Sequence, residues 1–260
     1  MSNYIVIFWW YSITKYSIHN VERLYYIRNY ITLENKENYI ASYLYIFACL
    51  IRSCFPRIDG KRICFFDSWI SYPLVGRILA TIGELAFGYQ LTLVTQSFAQ
   101  RLNCYKIYHL MDIIMNLIFI AQIFCWGGVL FQNNLMHVFE ESIWMFSMTC
   151  IGLSYLYFNN FVKNIKTRNY FYLGFVISYI YMMFMVWVDI PMYYNRYLET
   201  NSIINTNLSL FESIKDMASC YKISKSYNDW KSEMPWMTGY FIGATFISIN
   251  LMDFQELPVN

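Results

Sequence analysis

Ionisable residues set in or beside long apolar runs are the ones whose chemistry this sequence points to. A basic loop, RSCFPRIDGKRICFFDSW, carries Arg52, Arg57, Lys61 and Arg62. It leads into the apolar run YPLVGRILATIGELAFGYQLTLVTQSF, which holds Arg77 and Glu84. Guanidinium offers a planar fork of donors that matches a phosphate. Arg57, Arg62 and Arg77 are therefore the candidate ligands for an anionic lipid headgroup. Asp67, Glu84 and Asp189 are the candidate acids or bases. A carboxyl inside an apolar span is costly and turns towards a partner or a cavity. Asp189 follows the run VWV and precedes Pro191, a helix breaker.

Gly76, Ala80, Glu84 and Gly88 recur at i+4 and share one helix face, where small residues let another helix approach closely. Arg77 stands two turns from Glu84, roughly 10 Å along the axis at 1.5 Å per residue. That spacing predicts no direct pair, and each group needs another partner. Glu84, Arg77 and Asp189 are expected to share one buried polar cluster. A third group, His137, Glu140 and Glu141, falls at i, i+3 and i+4. Two carboxylates and an imidazole could hold a divalent metal or relay protons. The plainer account is a helix N-terminal turn whose carboxylates favour the positive dipole end. No metal is assigned, and no cofactor is specified.

The elements that must position these residues are apolar helices. Of 260 residues, 57% are hydrophobic and only 14% charged, against about 25% charged in soluble domains. That balance implies a multi-pass integral membrane protein with the lipid bilayer as its environment. The net charge of +2 brings no basic stripe, so no nucleic acid partner is expected. Seven apolar segments are legible: 4–18, 39–55, 73–98, 107–131, 136–158, 170–190 and 235–252. About 20 such residues cross a bilayer. The first segment is short enough to be either a span or an inserted anchor. The expected architecture is all-α, a polytopic transmembrane helical bundle of six or seven spans, forming a single integral membrane domain over residues 1–260. Pro191 is expected to end the sixth span. In the polar section 195–233, LSLFESIKDMASCYKI spaces Leu208, Phe211, Ile214, Ala218 and Tyr221 as an amphipathic surface helix.

None of the seven cysteines forms C-x-x-C, and no zinc-ligand spacing fits. Cys49, Cys104, Cys125 and Cys150 read as thiols packed like small hydrophobes. The short loops place the side of the first loop in the cytoplasm. The sequon Asn207-Leu-Ser209 and Cys220 then fall on the opposite side.

The stretches FPRIDGKRICFFDSW, GRILATIGELAFGYQ, FEESIW, VDIPMYYNR and DWKSEMPWMTGYF resemble segments of an uncharacterised group of bacterial-type multi-pass membrane proteins. The resemblance covers most of the chain after about residue 48. It implies a membrane protein, and the group has no assigned activity to transfer. Three classes of function remain open: an intramembrane enzyme or binding protein for an anionic lipid, a carboxylate-based transporter using Glu84, Asp112 and Glu140, and a structural subunit of a membrane complex.

Overall fold

Long apolar segments with few internal breakers fold as helices, because a helix satisfies every backbone group without help from solvent. A computed structural model describes residues 2–32, 35–200 and 209–259. The chain is built almost wholly from helices, as the sequence implies. They run α1 (Ser2–Ile27), α2 (Lys36–Cys54), α3 (Pro73–Arg101), α4 (Tyr105–Leu130), α5 (Asn134–Phe158), α6 (Ile165–Phe184), α7 (Ile190–Thr200), α8 (Leu210–Met217), α9 (Tyr227–Trp230), α10 (Met234–Thr238) and α11 (Thr245–Gln255). Three two-residue strands, β1 (Arg57–Ile58), β2 (Ile63–Cys64) and β3 (Lys222–Ile223), form a small sheet. β1 pairs antiparallel with β2, and β2 pairs parallel with β3.

Among the described residues, three helical stretches are long and apolar enough to cross a membrane: Pro73–Arg101, Tyr105–Leu130 and Ile165–Glu199. The chain divides into two compact units. The first joins Met1–Phe87 to Ser209–Met252, and the second joins Gly88–Leu208 to Asp253–Asn260.

In the first unit, polar side chains tie α1 and α2 to the C-terminal helices. Trp9 Nε1 donates to Thr238 Oγ1 at 2.9 Å, Asn20 Nδ2 to Thr245 Oγ1 at 3.0 Å, and Ser248 Oγ to Ser42 Oγ at 3.0 Å. Such bonds link helix to helix. A π-helical turn over Gly239–Ala244 joins α10 to α11. Gly83 lets α3 approach α2 closely: a Cβ there would stand 3.0 Å from that of Ala48. α1 runs past the end of the 4–18 apolar segment, through His19 to Ile27. Its apolar positions Val6, Ile13 and Leu24 stay buried along that length.

The second unit is an aromatic core between helices. Phe98, Tyr155, Phe158, Phe171 and Phe254 pack ring against ring, with Phe98 4.7 Å from both Phe171 and Phe254. Gly88 seats Ile118 of α4, and a Cβ there would lie 2.9 Å from Ile118 Cδ1. Pro191 does not end the sixth segment. A π-helical turn over Met185–Asp189 carries α6 into α7. Proline lacks the N–H that the regular ladder needs, and a locally widened turn absorbs the mismatch.

The amphipathic section differs more. Ser209 and Glu212 form a capping box that starts α8, as the Ser-x-x-Glu spacing allows. The helix stops at Met217, and the chain then extends into β3. A disulfide between Cys64 and Cys220, with Cα atoms 6.1 Å apart, fixes this segment to β2. Phe211 and Tyr221, expected on the membrane-facing stripe, are exposed. Asn207 and Leu208 lie outside the described residues.

Candidate functional site

The polar centre of the first unit is assembled from four pieces of chain. α2 brings Arg52 in its last turn. The hairpin of β1 and β2 brings Arg57 and Asp59. α3 brings Arg77 and Glu84, and the π-turn before α11 brings Tyr240. Arg52, Arg57 and Arg77 are each at most 6% exposed.

Glu84 is the anionic hub. Arg77 Nη2 donates to Glu84 Oε2 at 2.6 Å, and Tyr240 Oη donates to Glu84 Oε1 at 3.3 Å. Arg52 Nη1 stands 3.5 Å from Glu84 Oε1 as an ion pair without hydrogen-bond geometry. The guanidinium of Arg52 also lies over the Tyr240 ring, 4.8 Å from its centroid. The direct Arg77–Glu84 pair corrects the expectation that seven residues keep them apart. Two turns of helix return close to the same face, and a long arginine side chain covers the axial distance.

Arg57 lies across Gly76, and a Cβ on Gly76 would stand 2.0 Å from Arg57 Nε. The first glycine of the expected small-residue stripe therefore seats a side chain, not a helix. Arg57 Nη1 donates to the carbonyls of Ile70 at 2.8 Å and Tyr72 at 3.4 Å. Asp59 Oδ1 stays 3.9 Å from Arg57 Nε. Burial pulls the Arg57 guanidinium down to about 10; Asp59 opposes the shift, while Arg52 and Arg77 add to it. Among the described residues, three guanidiniums thus face two carboxylates, Asp59 and Glu84. Arg52 Nη1 and Arg57 Nη2 are buried and have no hydrogen-bond partner among the described residues. Buried donors of this kind carry a large desolvation cost unless a partner meets them.

Arg62 is drawn elsewhere. It is fully buried and its backbone is left-handed, at φ 50°. Its Nε donates to Asp216 Oδ2 at 2.8 Å and its Nη1 to the Asp59 carbonyl at 2.9 Å, so it fastens α8 to the hairpin. Asp67 is exposed in the bend before Trp69. Asp189 is buried in the π-turn of the second unit. The described contacts thus join Arg57, Arg77 and Glu84 around Arg52 and Tyr240.

The other residues singled out by spacing lie in the second unit. Asp112 accepts from Gln96 Nε2 at 2.7 Å and is mostly exposed. His137 Nδ1 lies 2.8 Å from Glu140 Oε2, both buried, while Glu141 is half-buried. Tyr240, Asp59 and Cys125 carry polar contacts that spacing alone did not single out. Tyr240 and Cys125 sit among apolar neighbours that give no sequence signal. Comparison with protein-family models, with curated proteins and with solved structures finds no match.

Proposed function

We propose that this is a multi-pass integral membrane protein of six or seven spans that binds an anionic lipid headgroup at Arg52, Arg57 and Arg77. One observation carries the reading. Two guanidinium nitrogens, Arg52 Nη1 and Arg57 Nη2, are buried without a hydrogen-bond partner among the described residues, in a centre where three guanidiniums face two described carboxylates. A phosphate would supply acceptors for both nitrogens and a further negative charge. Glu84 would hold Arg77 and Arg52 in place, so that the headgroup meets an ordered fork of donors.

The spanning pattern is supported by the three long apolar helices and by large apolar side chains exposed on α1 and α2, among them Tyr4, Phe8, Tyr43 and Phe47. Such surface is favourable in lipid and costly in water. The Cys64–Cys220 disulfide supports an oxidising compartment at this end of the first unit. It agrees with a cytoplasmic first loop, and it would place the arginine centre at the non-cytoplasmic leaflet. The test is thermal stability of the full chain in micelles doped with phosphatidylglycerol or phosphatidylcholine. The anionic lipid should raise the melting temperature of the wild type and not of Arg57→Gln. Equal responses to both lipids would remove the proposal.

A further inference from the structure

The hairpin of α4 and α5 carries a second polar cluster, inside the other unit. Its turn is tight: Gln132 is left-handed at φ 50°, and the Asn133 side chain caps α5 by accepting from Leu135 N. A short helical hairpin brings residues on either side of its turn face to face. Here it brings Cys125 of α4 against His137 and Glu140 of α5. One ligand atom from each, a thiol sulfur, an imidazole nitrogen and a carboxylate oxygen, lie within 4.8 Å of one another. All three residues are buried.

We propose that Cys125, His137 and Glu140 bind a borderline-soft divalent cation, with Zn²⁺ the best fit. Thiolate and imidazole suit zinc, whereas Mg²⁺ and Ca²⁺ take all-oxygen shells. Charge balance favours it as well. Cys125 loses its thiol proton to solvent on binding, and thiolate plus carboxylate then neutralise a divalent ion. A neutral assembly is far cheaper to bury than a lone carboxylate. Zinc bonds of about 2.0–2.3 Å bring tetrahedral ligand atoms to roughly 3.3–3.8 Å of one another. The His137–Glu140 contact of 2.8 Å is a hydrogen bond shorter than that range, and the three ligand atoms lie within 4.8 Å, so small side-chain rotations that open the first pair and close the widest complete the set. Three protein ligands leave a fourth position for water or substrate.

Gly128 and Tyr193 fix the imidazole. A Cβ on Gly128 would stand 2.7 Å from His137 Nε2, so only glycine leaves the ring where it is. Tyr193 stacks on the imidazole, with ring centroids 4.8 Å apart. An ion pair between His137 and Glu140 needs neither a thiol beside it nor a glycine behind it.

The experiment titrates the chelator-stripped full chain in detergent with Co²⁺, then displaces it with Zn²⁺. The wild type should show a saturable thiolate-to-cobalt charge-transfer band at one equivalent. Cys125→Ser should lose that band, while Cys150→Ser keeps it. Gly128→Ala should weaken binding by about 10–100-fold, the range seen when a ligand's support is removed, and His137→Ala, which removes a ligand, should weaken it more. If a variant fails to fold, X-ray absorption on the zinc-loaded wild type decides: one sulfur among nitrogen and oxygen ligands is expected. A cobalt spectrum without the thiolate band, or a zinc shell without sulfur, would overturn the site.

Discussion

Replacing Glu84 should separate two roles of the arginine centre, its stability and its appetite for anions. The Glu84 carboxylate meets Arg77 at 2.6 Å, Tyr240 at 3.3 Å and Arg52 at 3.5 Å. Glu84→Leu removes the anion and leaves two buried guanidiniums without it. Breaking a buried pair from one side costs about 3–5 kcal/mol. Glu84→Gln keeps an acceptor for Arg77 and nearly the same volume, and gives up only the charge. Its cost should be nearer the roughly 1.5–3 kcal/mol of a hydrogen bond to a charged group. Denaturation of the full chain by graded SDS in mixed micelles, followed by near-ultraviolet circular dichroism, would order the three proteins as wild type, Gln, Leu. The anionic lipid response should move the other way, because Glu84→Gln removes a negative charge from the centre. Equal stability of the Gln and Leu variants, or an unchanged lipid response in Glu84→Gln, would refute the assignment of Glu84 as the charged hub.

Three further outcomes follow from neighbouring geometry. Gly88→Leu should lower the melting temperature more than Leu93→Ala, because a Cβ at Gly88 already meets Ile118 Cδ1 at 2.9 Å, whereas Leu93 is half-buried and its lost contacts can be replaced by lipid; thermal scans in one detergent compare them. Cys220 should react with an impermeant maleimide only after reduction, and reduction should cost about 3–5 kcal/mol in the same SDS titration, because the bridge closes a long loop. Arg57 loses its proton near pH 10, below the ordinary arginine range, so the stabilising effect of anionic lipid should fade as pH rises through about 10. Without lipid the sign is opposite: between the folded and unfolded values the unfolded chain binds more protons, so this group's contribution to stability rises with pH. Thermal scans across that window, with Arg57→Gln as the control, read both slopes.

The helical segments were legible because apolar runs bounded by polar clusters are a strong local signal. The boundaries that differ are those where tertiary contacts outweigh local ones. α1 continues past His19 because its buried stripe continues, and Pro191 is absorbed by a π-turn. The segment 218–223 reads as helix by period, yet Cys64 and β2 hold it extended. No spacing rule predicts a bridge between cysteines 156 residues apart. Arg57, Arg77 and Glu84 were visible as charges that apolar surroundings must accommodate. Their partners were not, because Tyr240 comes from the far end of the chain. Likewise His137 and Glu140 announce themselves by i, i+3 spacing, whereas Cys125 joins them only through the hairpin.

The most direct test of the account is the mass of what stays bound. Native mass spectrometry of the full chain, extracted gently and exchanged into detergent with equimolar phosphatidylglycerol and phosphatidylcholine, reads the retained lipid. The arginine centre predicts one tightly held phosphatidylglycerol on the wild type, lost in Arg57→Gln and in Gly76→Ala, whose new methyl group displaces the Arg57 side chain. Retention of both lipids in proportion to their supply, unchanged by either substitution, would contradict it.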